Sequence, residues 1–524
     1  MKKRPKFAKF LALAFAAVLA VAASCLLPIQ VHAAEASNAS STDRPLLLAL
    51  GDSITYGYEP DPDNPLNPDG KRLTDECFVS ILANEKGYTY QNEGVIGNTA
   101  AGVLEKLQSG SLDDSIKQAE VITLTCGGND LMKVMYQRTA DYYNKQFSPK
   151  TPLTADDVVN SLWIGGTDAE SLKIMLCAGI VLMFNYYDGY YIEDCSAFKE
   201  GLESFIENLN SVTSYIKSVN PDVQIYVATQ YNPYAHFKDN YELVGTHLGA
   251  CAAQLREKVI ANAETGDYTV VDVYSAFAGN TATLCNATED PLTLDFHPSV
   301  AGHKVIAETF AATVPTAATV AAVDVTKVYG EADPELTATV SGVSDGDELD
   351  YAVTRETGES VGAYAITPSG EKLQNGYLVS YESATLTVTA KSIVPGDASG
   401  ITVEAPKDVT ANGSEQRCAA SLYDTRTDKA LVEGTDYTLS YEGDLVNPGT
   451  VTVTVTGIGN YQGSFELTYK ILEAVAPKSD TSNKSGDNAA TPQTSDASAP
   501  AALLAVAGLA VCAAGLLRRA QIRI

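Results

Sequence analysis

The sequence predicts an α/β fold: a three-layer α/β/α parallel-sheet domain followed by two small mainly-β modules. Two patterns carry that expectation. From about Leu46 to Val314, short apolar or β-branched runs that end in polar residues alternate with segments of helical period. After about Thr316 the period changes to two, with Gly, Asp and Asn at the turns. The first pattern is that of βαβ units, the second that of a sheet with one buried face.

Five strand segments stand out in the first region: PLLLALGDS, YTYQNEG, EVITLTCGGND, VQIYVATQYN and YTVVDVY. Between them, Phe198, Leu202, Phe205, Leu209, Val212 and Ile216 recur at three- and four-residue steps and mark one face of a helix. Helical crossovers between strands imply a parallel sheet covered on both faces. Ligands in such sheets bind beyond the carboxyl ends of the strands. The polar residues directly after each strand are therefore the candidates for chemistry.

The later segments LTATVSG, YLVSYESATLTVTA, YTLSYEG and TVTVTVTG predict antiparallel sheet in two units, about 317–391 and 392–473. The first unit carries Lys327-Val328-Tyr329-Gly330, Asp333-Pro334 and Arg355-Glu356-Thr357-Gly358-Glu359, and resembles the MBG repeats of bacterial surface proteins. The second carries Gly434-Thr435-Asp436-Tyr437 and Gly457-Ile458-Gly459-Asn460-Tyr461, and resembles another β repeat of such proteins. Residues 474–498, rich in Ser, Thr, Asp, Pro and Ala, read as a solvated linker.

With 36 Lys+Arg against 65 Asp+Glu, the net charge is −29, the wrong sign for a free-standing nucleic-acid binder. The basic start MKKRPKFAKF and the apolar run after it read as a signal peptide, residues 1–33, cleaved after Ala33 or, as the rival, Ala36. Cys25, behind Ala-Ala-Ser within that run, is a weak lipoprotein alternative. Ala499 to Leu517 is long and apolar enough to span a bilayer, with Arg518, Arg519 and Arg523 after it. Upstream, Thr491-Pro492-Gln493-Thr494-Ser495-Asp496 resembles the sorting signal of Gram-positive surface proteins, Leu-Pro-x-Thr-Gly, with Thr for Leu and Ser for Gly. Residues 499–524 are thus read as a transmembrane or sorting tail, and the expected location is extracellular, anchored to cell wall or membrane.

Six cysteines lie between Cys77 and Cys285, and Cys418 stands alone beyond them. No CxxC supports a metal or redox site, and no Gly-rich nucleotide loop precedes a helix, so no cofactor is expected. In an exported chain the six could pair, or remain as buried thiols.

Four blocks carry the chemistry. Gly51-Asp52-Ser53 follows the first strand, and a serine on such a turn can point its hydroxyl into a cleft. Asn92-Glu93-Gly94-Val95-Ile96-Gly97-Asn98 follows the second, Gly127-Gly128-Asn129-Asp130 closes the third, and Asp295-Phe296-His297-Pro298 precedes the last helix. Together, over about 270 residues, they resemble the SGNH (GDSL) hydrolase family. The resemblance implies Ser53 as nucleophile and His297 as its base. It implies an oxyanion hole from the N–H groups of Ser53 and Gly97 and the amide of Asn129. Glycine at 97 is expected to leave room for the substrate carbonyl. The family's orienting Asp stands three residues before the His, where this chain has Leu294. Asp295, two before, is expected to take that role, with a backbone carbonyl such as that of Leu294 as the alternative.

Of the other histidines, His32 falls in the signal peptide, His236 and His247 have no acidic neighbour at a familiar spacing, and His303 packs or caps in the last helix. Gly342-Val343-Ser344-Asp345-Gly346 and Gly358-Glu359-Ser360-Val361-Gly362 match the GxSxG elbow. Both sit in turns of a β repeat, with no histidine downstream. Between Leu131 and Asp194 the chain is longer than one connection needs. Its aromatics Trp163, Phe184, Tyr186, Tyr187, Tyr190 and Tyr191 serve either an acyl pocket, lid or sugar-stacking wall, or the packing of an inserted helical pair.

The expected function is hydrolysis of carboxylic esters, O-acetyl carbohydrate or short-chain lipid, through an acyl-serine intermediate. The alternative is a hydrolase-like adhesin or glycan binder, which the displaced Asp295 would favour.

Overall fold

The computed structural model describes residues 44–474 apart from 61–69, 165–168, 185, 188–189, 240 and 291. The proposed signal peptide, linker and tail lie outside the described residues, apart from residue 474 at the linker's start. The chain forms two compact units. Among the described residues, the first comprises 44–405, 419–440 and 453–467, and the second 406–418, 441–452 and 468–474.

The five strand segments become one parallel sheet: β1 (Leu46–Gly51), β2 (Thr89–Gly94), β3 (Ala119–Thr125), β4 (Gln224–Ala228) and β5 (Thr269–Val271), in the order β2-β1-β3-β4-β5. The strand order starts in the middle and reverses once, so β1 and β3 are central neighbours and their carboxyl ends face a switch point. In register, Gly51 stands beside Gly94 on one side and Thr125 on the other.

Side chains of β1 alternate between two cores. Leu48 and Leu50 face one with Ile122, Leu124, Ile225 and Val227. Leu47 and Ala49 face the other with Val121, Tyr226 and Val271. Six helices matter for the site: α1 (Ser53–Tyr56), α2 (Phe78–Lys86), α3 (Ala100–Gln108), α4 (Gly128–Phe147), α5 (Ser196–Val219) and α6 (Glu242–Asn262). A seventh, α7 (Val300–Ala311), closes the domain. The first core is covered by α3, α4, α5 and α6, and the second by α2 and α7. The predicted face of α5 is the buried one, from Phe198 to Ile216. The three-layer expectation therefore holds.

The segments after Thr316 are strands, but not all antiparallel. Thr316–Ala322 pairs in parallel with Tyr377–Glu382, and Val325–Val328 in parallel with Ala384–Thr389. The remaining pairings of residues 316–389 are antiparallel. A period of two reports which face is buried, not strand direction, so the sequence could not separate these cases. Further along the first unit, Ile401–Glu404, Ser421–Asp424 and Lys429–Ala430 form a three-stranded antiparallel sheet. There Lys391 Nζ meets buried Asp424 at 2.5 Å, and Tyr461 donates to the other carboxylate oxygen. In the second unit, Val409 and Thr410 pair in parallel with Ile471 and Leu472.

The seven described cysteines carry free thiols, five of them buried. Of the two readings of the 77–285 group, the structure has the free thiols: Cys77, Cys126, Cys177, Cys251 and Cys285 serve as small apolar core groups, and Cys195 is partly buried. Burial pushes the Cys285 and Cys251 thiols well up.

Candidate active site

The site is built at the carboxyl end of β1. Asp52 caps α1, its side chain accepting from Ile54 N at 3.0 Å, and Ser53 is the first helical residue. The turn is tight because Gly51 has φ +144°, and a Cβ there would lie 2.4 Å from Thr125 O. Thr125, the last residue of β3, donates its hydroxyl to Asp52 Oδ1 at 2.7 Å and meets Thr55 Oγ1 at 2.7 Å. Burial raises the Asp52 carboxyl to about 6, partly countered by the Thr125 and Ile54 hydrogen bonds. Sequence reading missed this clamp, although Thr125 is a polar residue at a strand end, where chemistry was expected.

His297 Nε2 lies 2.9 Å from Ser53 Oγ, and its Nδ1 lies 2.6 Å from Asp295 Oδ1. All three residues are buried. The two-residue spacing works because Asp295 Oδ1 also accepts the His297 backbone N–H at 3.1 Å. That is the local turn short acidic side chains make with the N–H two residues on, and it brings the same oxygen against the ring. The Leu294 carbonyl, the alternative acceptor, instead receives the Tyr234 hydroxyl at 2.8 Å. Tyr231 likewise donates to Phe296 O at 2.8 Å. Two tyrosines from the loop after β4 thus hold the 294–296 segment. The Tyr58 ring stands 4.2 Å from that of His297, and the Phe296 ring 4.5 Å.

Asn129, second residue of α4, donates its amide to Asn98 O at 2.9 Å, and one amide proton remains for a ligand. Asp130 accepts from Ala100 N at 3.2 Å, so α4 fixes the turn that carries Gly97. Burial raises the Asp130 carboxyl. Gly97 has φ +73°, a left-handed conformation, and a Cβ there would meet no protein atom within 4 Å. Its backbone demands glycine, and open space lies before it.

The three other described histidines have partners other than Ser53. His303 is buried, accepts from Phe78 N at 3.5 Å, and is lowered to about 3 by burial. His236 lies between Thr281 and Ala287 O. His247, which has no acidic neighbour at a familiar spacing in the sequence, meets one from far along the chain: Glu193 at 2.6 Å.

Beside the site lies an apolar pocket with about 520 Å³ of empty space, counting its mouth. Its walls include Gly128 and Phe296, the residues immediately before Asn129 and His297. The remainder is formed chiefly by Met132 and Met135 of α4, Ile192, Tyr234, and Leu248 and Cys251 of α6. Of the aromatics of the inserted stretch, the described Tyr190 and Tyr191 are not among its walls. The side chains of Trp163, Phe184, Tyr186 and Tyr187 lie outside the described residues. Tyr190 is exposed, and Tyr191 stacks on His247.

Residues 49–305 match the GDSL-like Lipase/Acylhydrolase family. This segment is a GDSL-like lipase/acylhydrolase domain, an ester-hydrolase class. Residues 318–387 match the MBG domain (YGX type). The uncharacterized protein YpmR of Bacillus subtilis (strain 168) is 35% identical over 94 residues, which are 18% of this chain and 34% of that protein. The match thus spans about a third of the relative's length. Among solved structures, the lipase Lip_vut3 from a goat rumen metagenome aligns at 17% identity and TM-score 0.32, covering 51% of this chain and 96% of its own. Phospholipase A1 from Streptomyces albidoflavus NA297 aligns at 18% and 0.33, covering 51% and 99%. A mutant of the acetylxylan esterase Axe2 from Geobacillus stearothermophilus aligns at 18% and 0.27, covering 51% and 92%.

Proposed function

We propose that the hydrolase domain is a serine esterase acting on carboxylic esters through an acyl-serine intermediate. The observation that carries this reading is the hydrogen-bonded line from Ser53 Oγ through His297 to Asp295, at 2.9 and 2.6 Å. In the proposed reaction, Ser53 Oγ attacks the ester carbonyl while His297 Nε2 takes its proton. Asp295 holds the ring and stabilises its positive charge. The oxyanion is received by Ser53 N–H, Gly97 N–H and the Asn129 amide. Collapse expels the alcohol, which leaves with the His297 proton. A water, deprotonated by His297, then releases the acid and restores Ser53.

The pocket beside Asn129 and His297 supports an apolar acyl group longer than acetyl. The hydroxyls of its two tyrosines are already donated to main-chain carbonyls, which leaves Gln230 as the other polar side chain on its wall to meet a sugar hydroxyl. Each buried methylene is worth about 0.8 kcal/mol, so the gain from acetyl to hexanoyl is at most ~3 kcal/mol. The 2.6 Å contact between Asp295 and His297 supports catalysis over a binding-only role, which drew on the displaced Asp295. The apolar runs at 11–27 and 499–517 support secretion and surface display in a Gram-positive-type bacterium.

The test is turnover of p-nitrophenyl acetate, butyrate and hexanoate by the full chain, with Ser53→Ala beside it. The reading expects turnover that rises beyond acetate and disappears in the variant. Turnover unchanged by the substitution would refute it.

A further inference from the structure

Behind the apolar pocket lies a polar cluster that catalysis leaves unused. His247 on α6 meets Glu193 Oε1 through Nδ1 at 2.6 Å, with both side chains largely buried. The Tyr191 ring covers the imidazole, with centroids 3.9 Å apart and planes 14° from parallel. Gln254 of α6 donates to Glu193 O at 3.2 Å. Arg138 of α4 donates to Tyr190 O at 3.1 Å. Glu193 Oε2 is buried with no hydrogen-bond partner, so His247 is the side chain that holds this carboxylate.

The cluster is interleaved with the pocket wall. Ile192, between Tyr191 and Glu193, lines the pocket, and so does Leu248, next to His247. Met135, three residues before Arg138 and hence on the same helical face, lines it too. Ile192 belongs to a single 3₁₀ turn, Ile192–Asp194, too short to fix its own position. Its place against α6 depends on what ties its neighbours down.

We infer that the Glu193–His247 pair is the latch that sets the wall of the acyl pocket formed by Ile192 and Leu248, and with it the acyl length the enzyme prefers. The inference rests on the serine-esterase and acyl-pocket reading above. Neither residue touches the reacting atoms; both are positioning residues for Ile192 and Leu248. Removing either partner leaves the other buried without its counterpart, and the wall segment relaxes. Acetyl esters, which barely enter the pocket, lose little. Longer acyl chains, which need an intact wall, lose their advantage.

The experiment measures kcat/KM of the full chain for p-nitrophenyl acetate and hexanoate in wild type, Glu193→Ala, His247→Ala, Glu193→Gln and Ala252→Phe. In Glu193→Ala and His247→Ala the hexanoate-to-acetate ratio is expected to fall about 10-fold, within the range one or two apolar contacts control, with acetate changing under ~3-fold. Glu193→Gln keeps the Oε1 acceptor and is expected to retain the ratio. Ala252→Phe fills the pocket and is expected to lower the ratio whatever the latch does. An unchanged ratio in both alanine variants, with a lowered one in Ala252→Phe, overturns the latch and leaves the pocket reading standing. An unchanged ratio in Ala252→Phe overturns the pocket reading itself. Loss of acetate turnover in step with hexanoate in Glu193→Gln as well as the alanine variants makes the pair a support of the whole domain, and also overturns the latch.

Discussion

The parallel sheet of residues 46–271 and the two small sheets of residues 316–389 both present serines on glycine-flanked turns, and only one of them builds a site. In the five-stranded sheet of the hydrolase domain every strand runs the same way, so the turns after β1, β2 and β3 gather at one end. Ser53, Gly97 and Asn129 come from these turns, and the segment bearing His297 meets them there. In the MBG region, strands run both ways and the turns are dispersed. Ser344 and Ser360 match the GxSxG spacing, yet both are exposed. The Ser344 N–H donates to the Tyr377 hydroxyl, and the Ser360 carbonyl accepts from Tyr364. The chain has no histidine beyond His303 to activate either. A serine becomes a candidate nucleophile through strand direction and a base, more than through its flanking glycines.

The strongest way to break this comparison is to exchange the serines' fates. Ser53→Ala and His297→Ala should each lower kcat for p-nitrophenyl butyrate by roughly 10⁴-fold or more, as in other triads. Ser344→Ala and Ser360→Ala should leave it unchanged. Next comes Asp295→Asn, which keeps an oxygen for the His297 N–H but loses the charge. A fall of about 10²–10⁴ in kcat with little change in KM is expected. Asn129→Ala should cost about 10²–10³ in kcat. An effect below tenfold would remove Asn129 from the oxyanion hole.

Smaller effects come from buried groups around the site, and their signs differ. His303 is lowered to about 3, so it contributes stability above its unfolded value, near 6.5, that is lost as pH falls towards 3. The stability of His303→Asn relative to wild type should therefore rise on acidification from pH 6.5 to 4, by up to about 1.4 kcal/mol per pH unit. Asp52 is raised to about 6, so its contribution is present at low pH and lost as pH rises from about 3.8 to 6. Asp52→Asn should gain on wild type in the opposite direction, by up to about 3 kcal/mol between pH 4 and 7. Urea unfolding at several pH values reads both slopes.

How much the sequence disclosed depended on the kind of signal each feature leaves. The sheet and the four blocks were legible because a strand that ends in polar residues is a local pattern. Parallel pairing of Thr316–Ala322 with Tyr377–Glu382 was not, since alternation is the same in either direction. Asp295 stood out of the usual register, yet its short side chain closes a local turn that restores the contact. The pocket was invisible because its walls come from α4, Ile192, the loop after β4 and α6, which no short motif connects. The Glu193–His247 contact joins residues 54 positions apart and leaves no spacing to notice.

The central claim is that Ser53, activated by His297, is the group that becomes acylated. The most direct measurement is labelling of the full chain with a fluorophosphonate, followed by peptide mapping by mass spectrometry. One adduct is expected, on the peptide containing Ser53, abolished in Ser53→Ala and slowed by orders of magnitude in His297→Ala. An adduct on a different serine, or labelling of Ser53 that proceeds equally well without His297, would contradict it.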